Sequence, residues 1–391
     1  MAEDITLGGS TLTLSEGWEY SDEGATRQLT RSFAEASDER GAGIATIAIL
    51  GPFAEAGNDF DDNFQTLARG TLPALADEDP DTAEQGFTTS GHRIRVDARC
   101  CERREGVSFG QTLVGVPDDH RQIFLMLVTG GLRGENREAA EADFAATVRS
   151  LRLNPDDEGF ALIPTRGDGG LEGVYTHLSS GLQINVLGGM DYTSESEIMV
   201  FDRRGRFGTE LPTGGVTLSE FCAEDPRPCG TYRLEGDHII LRAVANDYGL
   251  LEEESLTFAV KGEDLLIDDE THFRIPPFAE GSILNGTWTH LWSASGNGAS
   301  SSSSVASQRS LTLRPDGTFM REGWFGATTA SDTGGVTVAG DRPAQRGTYR
   351  LEDTTLALEG DDGSIEMMSI FAPDIGSDEL LVIEGLNFLK E

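Results

Sequence analysis

The hexapeptide GTYRLE stands at residues 230–235 and returns unchanged at 347–352. Other matches keep one order around it. LEGVYTHL (171–178) and LNGTWTHL (284–291) set Tyr175 opposite Trp288, and FDRRGRF (201–207) and LRPDGTF (313–319) follow. TGGVT comes next, at 213–217 and 333–337, and after GTYRLE come EDLLIDDETHF and DELLVIEGLNF. A shared order of motifs marks a duplication, with copies at 171–280 and 281–391.

Each copy consists of short segments such as SLTLRPDGTF and GTYRLEGDHIILRA, alternating apolar with polar residues and broken by Gly, Asp or Pro. Alternation puts residues i and i+2 on one strand face. Strands this short, joined by such turns, predict an antiparallel meander in a barrel or sandwich. Within GTYRLE the spacing predicts Tyr and Leu toward the core, with Thr, Arg and Glu outward. Tyr232, Tyr349, Tyr175 and Trp288 are therefore candidates for the domain interiors and for ligand contacts there.

A chain of 391 residues exceeds what one core usually serves. Residues 1–155 differ from the repeats. STLTLSEGWEYSD, GAGIATIAILGPF, RIRVDARC, VSFGQTLVGV and RQIFLMLVTG read as strands. NDFDDNFQTLAR reads as a helix capped by Asn58, with Phe60, Phe64, Leu67 and Ala68 on one side. NREAAEADFAATVRSL sets Ala140, Phe144, Val148 and Leu151 on one stripe. The expected fold class is an α+β sandwich followed by two duplicated all-β domains. Residues 156–170, rich in Pro, Gly and Asp, read as the linker.

Gly286, Thr287 and Trp288 near the start of the second copy resemble the first-strand motif of the lipocalins, whose barrels hold small apolar ligands. The first copy departs from it with Gly173, Val174 and Tyr175. Arg274 and Lys390 stand after the last strands, where that family places a basic residue over its Trp. The resemblance implies lipocalin-like meander barrels and a small apolar ligand. In residues 1–155, the EGW after the first strand and the closing Phe144, Val148, Leu151 pattern resemble the PsbP and DcrB-like family. Its known members are mostly accessory or chaperone-like proteins without catalysis, including chaperones of type VI secretion effectors. That implies a non-enzymatic accessory or scaffold protein with a protein partner; the carrier of a small apolar ligand is the alternative.

The chemistry-bearing residues point the same way. No nucleophile elbow, P-loop, dinucleotide fingerprint or His-Glu-x-x-His motif occurs, so no catalytic residue, cofactor or metal is expected. With 67 acidic against 30 basic residues the formal charge is -37, which repels nucleic acid and anionic lipid. No apolar run approaches the roughly 20 residues that span a bilayer. Met1 leads into AEDITLGG without a signal-like segment, so the chain as given is expected in the cytoplasm, or in the periplasm or outside if a signal peptide was removed.

Cys222 and Cys229 flank AEDPRP in a stretch that is longer than its counterpart in the second copy, and they are either a bridge or two free thiols. Adjacent Cys100 and Cys101 should alternate across a strand. Arg93, Arg95, Arg99, Arg103 and Arg104 form a basic cluster, either a solvated strand face or a contact for an acidic partner. SASGNGASSSSSVAS (293–307) reads as a flexible loop, and SSGLQINVLGGMDYTSESE as the equivalent long loop of the first copy.

Overall fold

The computed structural model describes residues 3–23, 26–33, 43–54, 60–118, 121–154, 156–164, 169–184, 190–297, 301–331, 334–374 and 376–391. It groups the chain into two compact units. One joins Met1–Thr165 with Arg242–Glu253, the other Arg166–Leu241 with Glu254–Glu391.

In the first unit, β1 (Glu3–Leu7) and β2 (Ser10–Leu14) form a hairpin. An antiparallel sheet follows, built from β3 (Glu19–Glu23), β4 (Thr26–Phe33), β5 (Gly43–Ala54), β6 (Thr82–Thr88), β7 (Arg93–Arg104), β8 (Val107–Pro117) and β9 (Arg121–Gly130). Their spatial order is β6-β7-β8-β9-β5-β4-β3. Helices α1 (Phe60–Gly70) and α2 (Gly134–Arg149) lie against opposite faces, because neighbouring residues on β8 and β9 point opposite ways. Val114, Val116, Ile123, Leu125 and Leu127 pack with Ala140, Phe144 and Val148 of α2. Leu113 and Phe124 pack with Phe60, Phe64 and Ala68 of α1. Both helices use the stripes that the sequence predicts; Asn58 lies outside the described residues. Leu250 and Tyr248, from Arg242–Glu253, complete the α2-side core.

The second unit holds the repeats. In the first copy β10 (Gly173–Ile184), β11 (Met190–Phe201), β12 (Arg206–Gly208), β13 (Cys229–Glu235), β14 (His238–Val244), β15 (Leu250–Lys261), β16 (Asp264–Ile267) and β17 (Glu270–Ile275) form a meander, with helix α3 (Leu218–Glu224) inserted before β13. Pairing of Val174 with Ile275 closes β17 onto β10. The second copy repeats this as a closed barrel of β18 (Gly286–Asn297), β19 (Ser301–Leu313), β20 (Thr318–Ser331), β21 (Gly334–Glu352), β22 (Thr355–Gly360), β23 (Ile365–Phe371), β24 (Leu380–Ile383) and β25 (Leu386–Lys390). Both copies are therefore eight-stranded antiparallel barrels.

The GTYRLE tyrosines make the same set of bonds in both barrels. The Tyr232 hydroxyl accepts from the Leu171 N–H at 2.7 Å and lies 3.0 Å from the Leu171 carbonyl and 2.9 Å from that of Asp202. The Tyr349 hydroxyl accepts from the Leu284 N–H at 3.1 Å and lies 2.9 Å from the Leu284 carbonyl and 3.2 Å from that of Arg314. Both backbone amides donate to a turn glycine, Tyr232 to Gly205 at 2.9 Å and Tyr349 to Gly317 at 2.8 Å. The hydroxyls thus tie the segment leading into the first strand to the turn after the second.

Four sequence readings are corrected. Leu351 is buried but Leu234 is 36% exposed, while Thr231 is buried, so GTYRLE keeps its tyrosine facing and not its whole pattern. The strings EDLLIDDETHF and DELLVIEGLNF match one residue out of register. The turns Asp268–Asp269 and Glu384–Gly385 are equivalent, and pairing of Ile267 with Glu270 and of Ile383 with Leu386 aligns His272, not Phe273, with Phe388. TGGVT is a turn capping α3 in the first copy, where Thr217 and Glu220 form a capping box. In the second copy its described residues run within β21. The described residues of the serine-rich stretch are strand: Ser293 to Asn297 pair with Ala306 to Ser302, as Ser179 to Ile184 pair with Glu195 to Met190 in the first barrel. Backbone pairing needs no particular side chain, so composition misled here.

Replacing Tyr232 or Tyr349 by Phe keeps the ring but leaves a buried leucine N–H and C=O without their partner. Each change is expected to cost about 1–3 kcal/mol in urea unfolding. A loss near zero for both would show that the hydroxyl clamp does not hold the barrels.

Candidate functional site

The inward faces of the second barrel divide it into two ends. At one end Trp288 is fully buried among Leu313, Phe319, Tyr349, Leu351, Leu356 and Leu381. Its Nε1 donates to the Asp378 carbonyl at 2.6 Å, and the Lys390 ammonium lies 5.2 Å from the ring centroid, held by both Asp378 oxygens at 2.8 Å. This end is a plug.

The other end is a cavity of about 550 Å³. Its apolar wall is Leu311, Met368, Ile383, Leu386 and Phe388. Inward positions next to these carry polar groups. Arg321 makes a two-pronged pair with Glu366, at 3.0 and 2.7 Å, and donates to Gln345 Oε1 at 2.6 Å. The Arg321 hydrogen bond holds the Glu366 carboxyl below its ordinary range. Arg309, Arg342, Glu322 and Glu384 complete the charged lining, with the Glu384 carboxylate accepting the Ser369 N–H. Beyond this mouth the β18–β19 and β20–β21 hairpins continue, and Trp292, Phe325 and Val338 remain 46%, 49% and 54% exposed.

None of the four aromatic candidates lines this cavity. Tyr175, Tyr232, Trp288 and Tyr349 are all buried in barrel cores, Tyr175 edge-on to Phe201 at 6.0 Å. The cavity residues did leave a trace in the sequence. Arg309 stands two and four residues before Leu311 and Leu313, and Arg321 two residues after Phe319, so each is a charge on an otherwise apolar strand face.

The arginine cluster on β7 is already engaged. Arg93 and Arg95 share Asp61, at 3.2 and 2.9 Å, and stack on Phe60 and Phe64. Arg99 is buried against Asp97 at 2.8 Å and donates to the carbonyls of Leu75 and Glu78. Arg104 pairs with Glu102, which leaves Arg103 exposed. Cys100 and Cys101 do not alternate, because β7 bulges between Cys100 and Glu102; Cys100 is half-buried, Cys101 exposed, and their sulfurs meet. Cys222 of α3 and Cys229 of β13 are bridged, with Cα atoms 5.7 Å apart.

The first barrel places His272 where the second has Phe388. His272 is buried, its Nδ1 has no hydrogen-bond partner, and it stacks on His177 at 5.4 Å. His177 lies 3.5 Å from Glu270 and 3.1 Å from the Thr271 carbonyl. Among the described residues no group of His, Cys, Asp or Glu is arranged to hold a metal ion, and no helix is long and apolar enough to cross a membrane. Comparison with protein-family models, curated proteins and solved structures finds no match to this chain.

Burial, and then the neighbouring His177, push the His272 imidazole below its ordinary value. The unfolded chain then takes up a proton that the folded chain resists. Stability is expected to fall as pH drops from above the usual histidine range, about 6.5, toward the lowered value, and to level off below it. His272→Phe, the residue of the other barrel, is expected to remove that part of the loss, measured by denaturant unfolding at about pH 7.5 and about pH 5.5. Equal acid sensitivity in both proteins would assign the loss to other groups.

Proposed function

We propose that the protein is a non-enzymatic binding protein that carries a small ligand in the open end of its second barrel. The carrying observation is the cavity of about 550 Å³. It falls within the roughly 300–1,000 Å³ usual for small-molecule sites and combines an apolar wall with a few placed polar groups. Trp288 closes the far end, so a ligand has one way in. Its first-strand position with Lys390 over the ring agrees with the lipocalin resemblance. The exposed Trp292, Phe325 and Val338 extend apolar surface beyond the mouth, where a ligand too long for the cup would lie.

The N-terminal unit, with helices on both faces of an antiparallel sheet, is read as an α+β accessory domain of the PsbP and DcrB-like kind. Scaffolding through its arginine cluster is the weaker reading, because carboxylates occupy four of those five side chains. The function is accordingly placed in the barrel.

Titration with the uncharged fluorophore N-phenyl-1-naphthylamine tests this. Saturable emission enhancement is expected, and Met368→Trp, which fills the cavity, is expected to weaken it about tenfold or more. Absence of saturable binding would overturn the carrier reading. Undiminished binding to the filled variant would move the site out of this cavity.

A further inference from the structure

We infer that the ligand is an anionic amphiphile whose acidic head is held between Arg309 and Arg342. This deepens the carrier reading and rests on it. Strand register sets His290, Arg309, Gly323 and Arg342 in one row across β18, β19, β20 and β21. The two arginines stand two strands apart, about 10 Å between backbones. Gly323 between them has no side chain, and none fits: a Cβ there would lie 2.6 Å from the Gln308 carbonyl, where the β20–β21 ladder shifts register. The row therefore presents a gap flanked by two guanidinium groups.

The charges around this gap are unevenly spent. Glu366 neutralises Arg321 in the row below, the Glu384 carboxylate is taken by the Ser369 N–H, and the Asn387 carbonyl engages His290 Nδ1 at 3.0 Å. Glu322 also lines the mouth. Yet among the described residues no carboxylate pairs with Arg309 or Arg342. In a chain of formal charge -37, two unpaired arginines facing one cavity make a local preference for anions that the surrounding field opposes. Guanidinium forks suit the planar two-oxygen face of a carboxylate, or a sulfate or phosphate.

The neighbouring rows give the ligand its apolar part. One row inward lies Leu311, and across the cavity Phe388, level with His290, and Ile383 complete the apolar wall, the place for an alkyl or ring body. One row outward, Trp292, Ser307, Phe325 and Gly340 share a line, and the Phe325 ring lies over Gly340. Aromatic surface on that side lowers the water content around a headgroup and strengthens its pairing with the arginines.

The test compares dodecanoate, dodecanol and dodecyltrimethylammonium, which share one chain and differ in the head, as competitors of bound N-phenyl-1-naphthylamine. Dodecanoate is expected to bind at least about tenfold tighter than dodecanol, with the ammonium weakest. In Arg309→Gln/Arg342→Gln, dodecanoate is expected to fall to the level of dodecanol while the uncharged fluorophore still binds, which also shows that the barrel is intact. Equal affinity for acid and alcohol in the unaltered protein, with the fluorophore bound, would overturn the anion inference and leave the carrier reading. A preference that survives the double substitution would place the anion elsewhere and overturn it too. No binding by any of the probes would overturn both.

Discussion

One tyrosine hydroxyl in each barrel sits against three backbone groups, and two of them, the N–H and C=O of one leucine, are buried. The Tyr232 and Tyr349 hydroxyls accept from the N–H of the leucine two residues before the first strand, and their single proton lies between that leucine's carbonyl and a carbonyl at the turn after the second strand. A buried unpaired amide costs on the order of 1–3 kcal/mol, so that contact is expensive to lose. It also fixes where each barrel begins. The first strand can pair with the last only if its start is held, and that pairing closes the barrel and removes its edges. Burial pushes the Tyr232 phenol up to about 12, which keeps the hydroxyl protonated and able to donate at any ordinary pH.

The two barrels share that clamp and then diverge. In the first, α3 and the Cys222–Cys229 bridge occupy the stretch before β13; in the second, the long β20–β21 hairpin takes that place. The inward position on the last strand is His272 in one and Phe388 in the other. A buried imidazole without a partner for Nδ1 suits neither a dry core nor a charged one, while a phenyl ring there forms part of a cavity wall. The duplication preserved what closes a barrel and varied what fills it.

The charge distribution separates surface from interior in the same way. The β7 arginines look like a docking patch until Asp61, Asp97 and Glu102 are counted, and Arg99 then proves to be a buried member of a neutral pair. Within the second barrel, by contrast, Arg309 and Arg342 keep their charge unspent beside an apolar wall. An ion pair spent inside the protein contributes little toward a partner. A charge left unpaired at the mouth of a cavity remains available to an incoming ion of opposite sign.

The sequence by itself determined the duplication, the meander character of its halves and the helix stripes of Phe60, Phe64 and Ala68 and of Ala140, Phe144 and Val148, because these rest on local period and repeated strings. It also marked Tyr232, Tyr349, Tyr175 and Trp288 as interior. Tertiary structure alone decided the pairing of the described serine-rich residues as strands, since ladder bonds come from a backbone that composition does not describe. It alone set the one-residue register that aligns His272 with Phe388, because a two-residue turn, not the best string match, fixes which side chain faces in. And it alone gathered Arg309, Gly323 and Arg342 into one row: residues 14 and 19 positions apart in the chain, 309 to 323 and 323 to 342, become neighbours only when three strands lie in register.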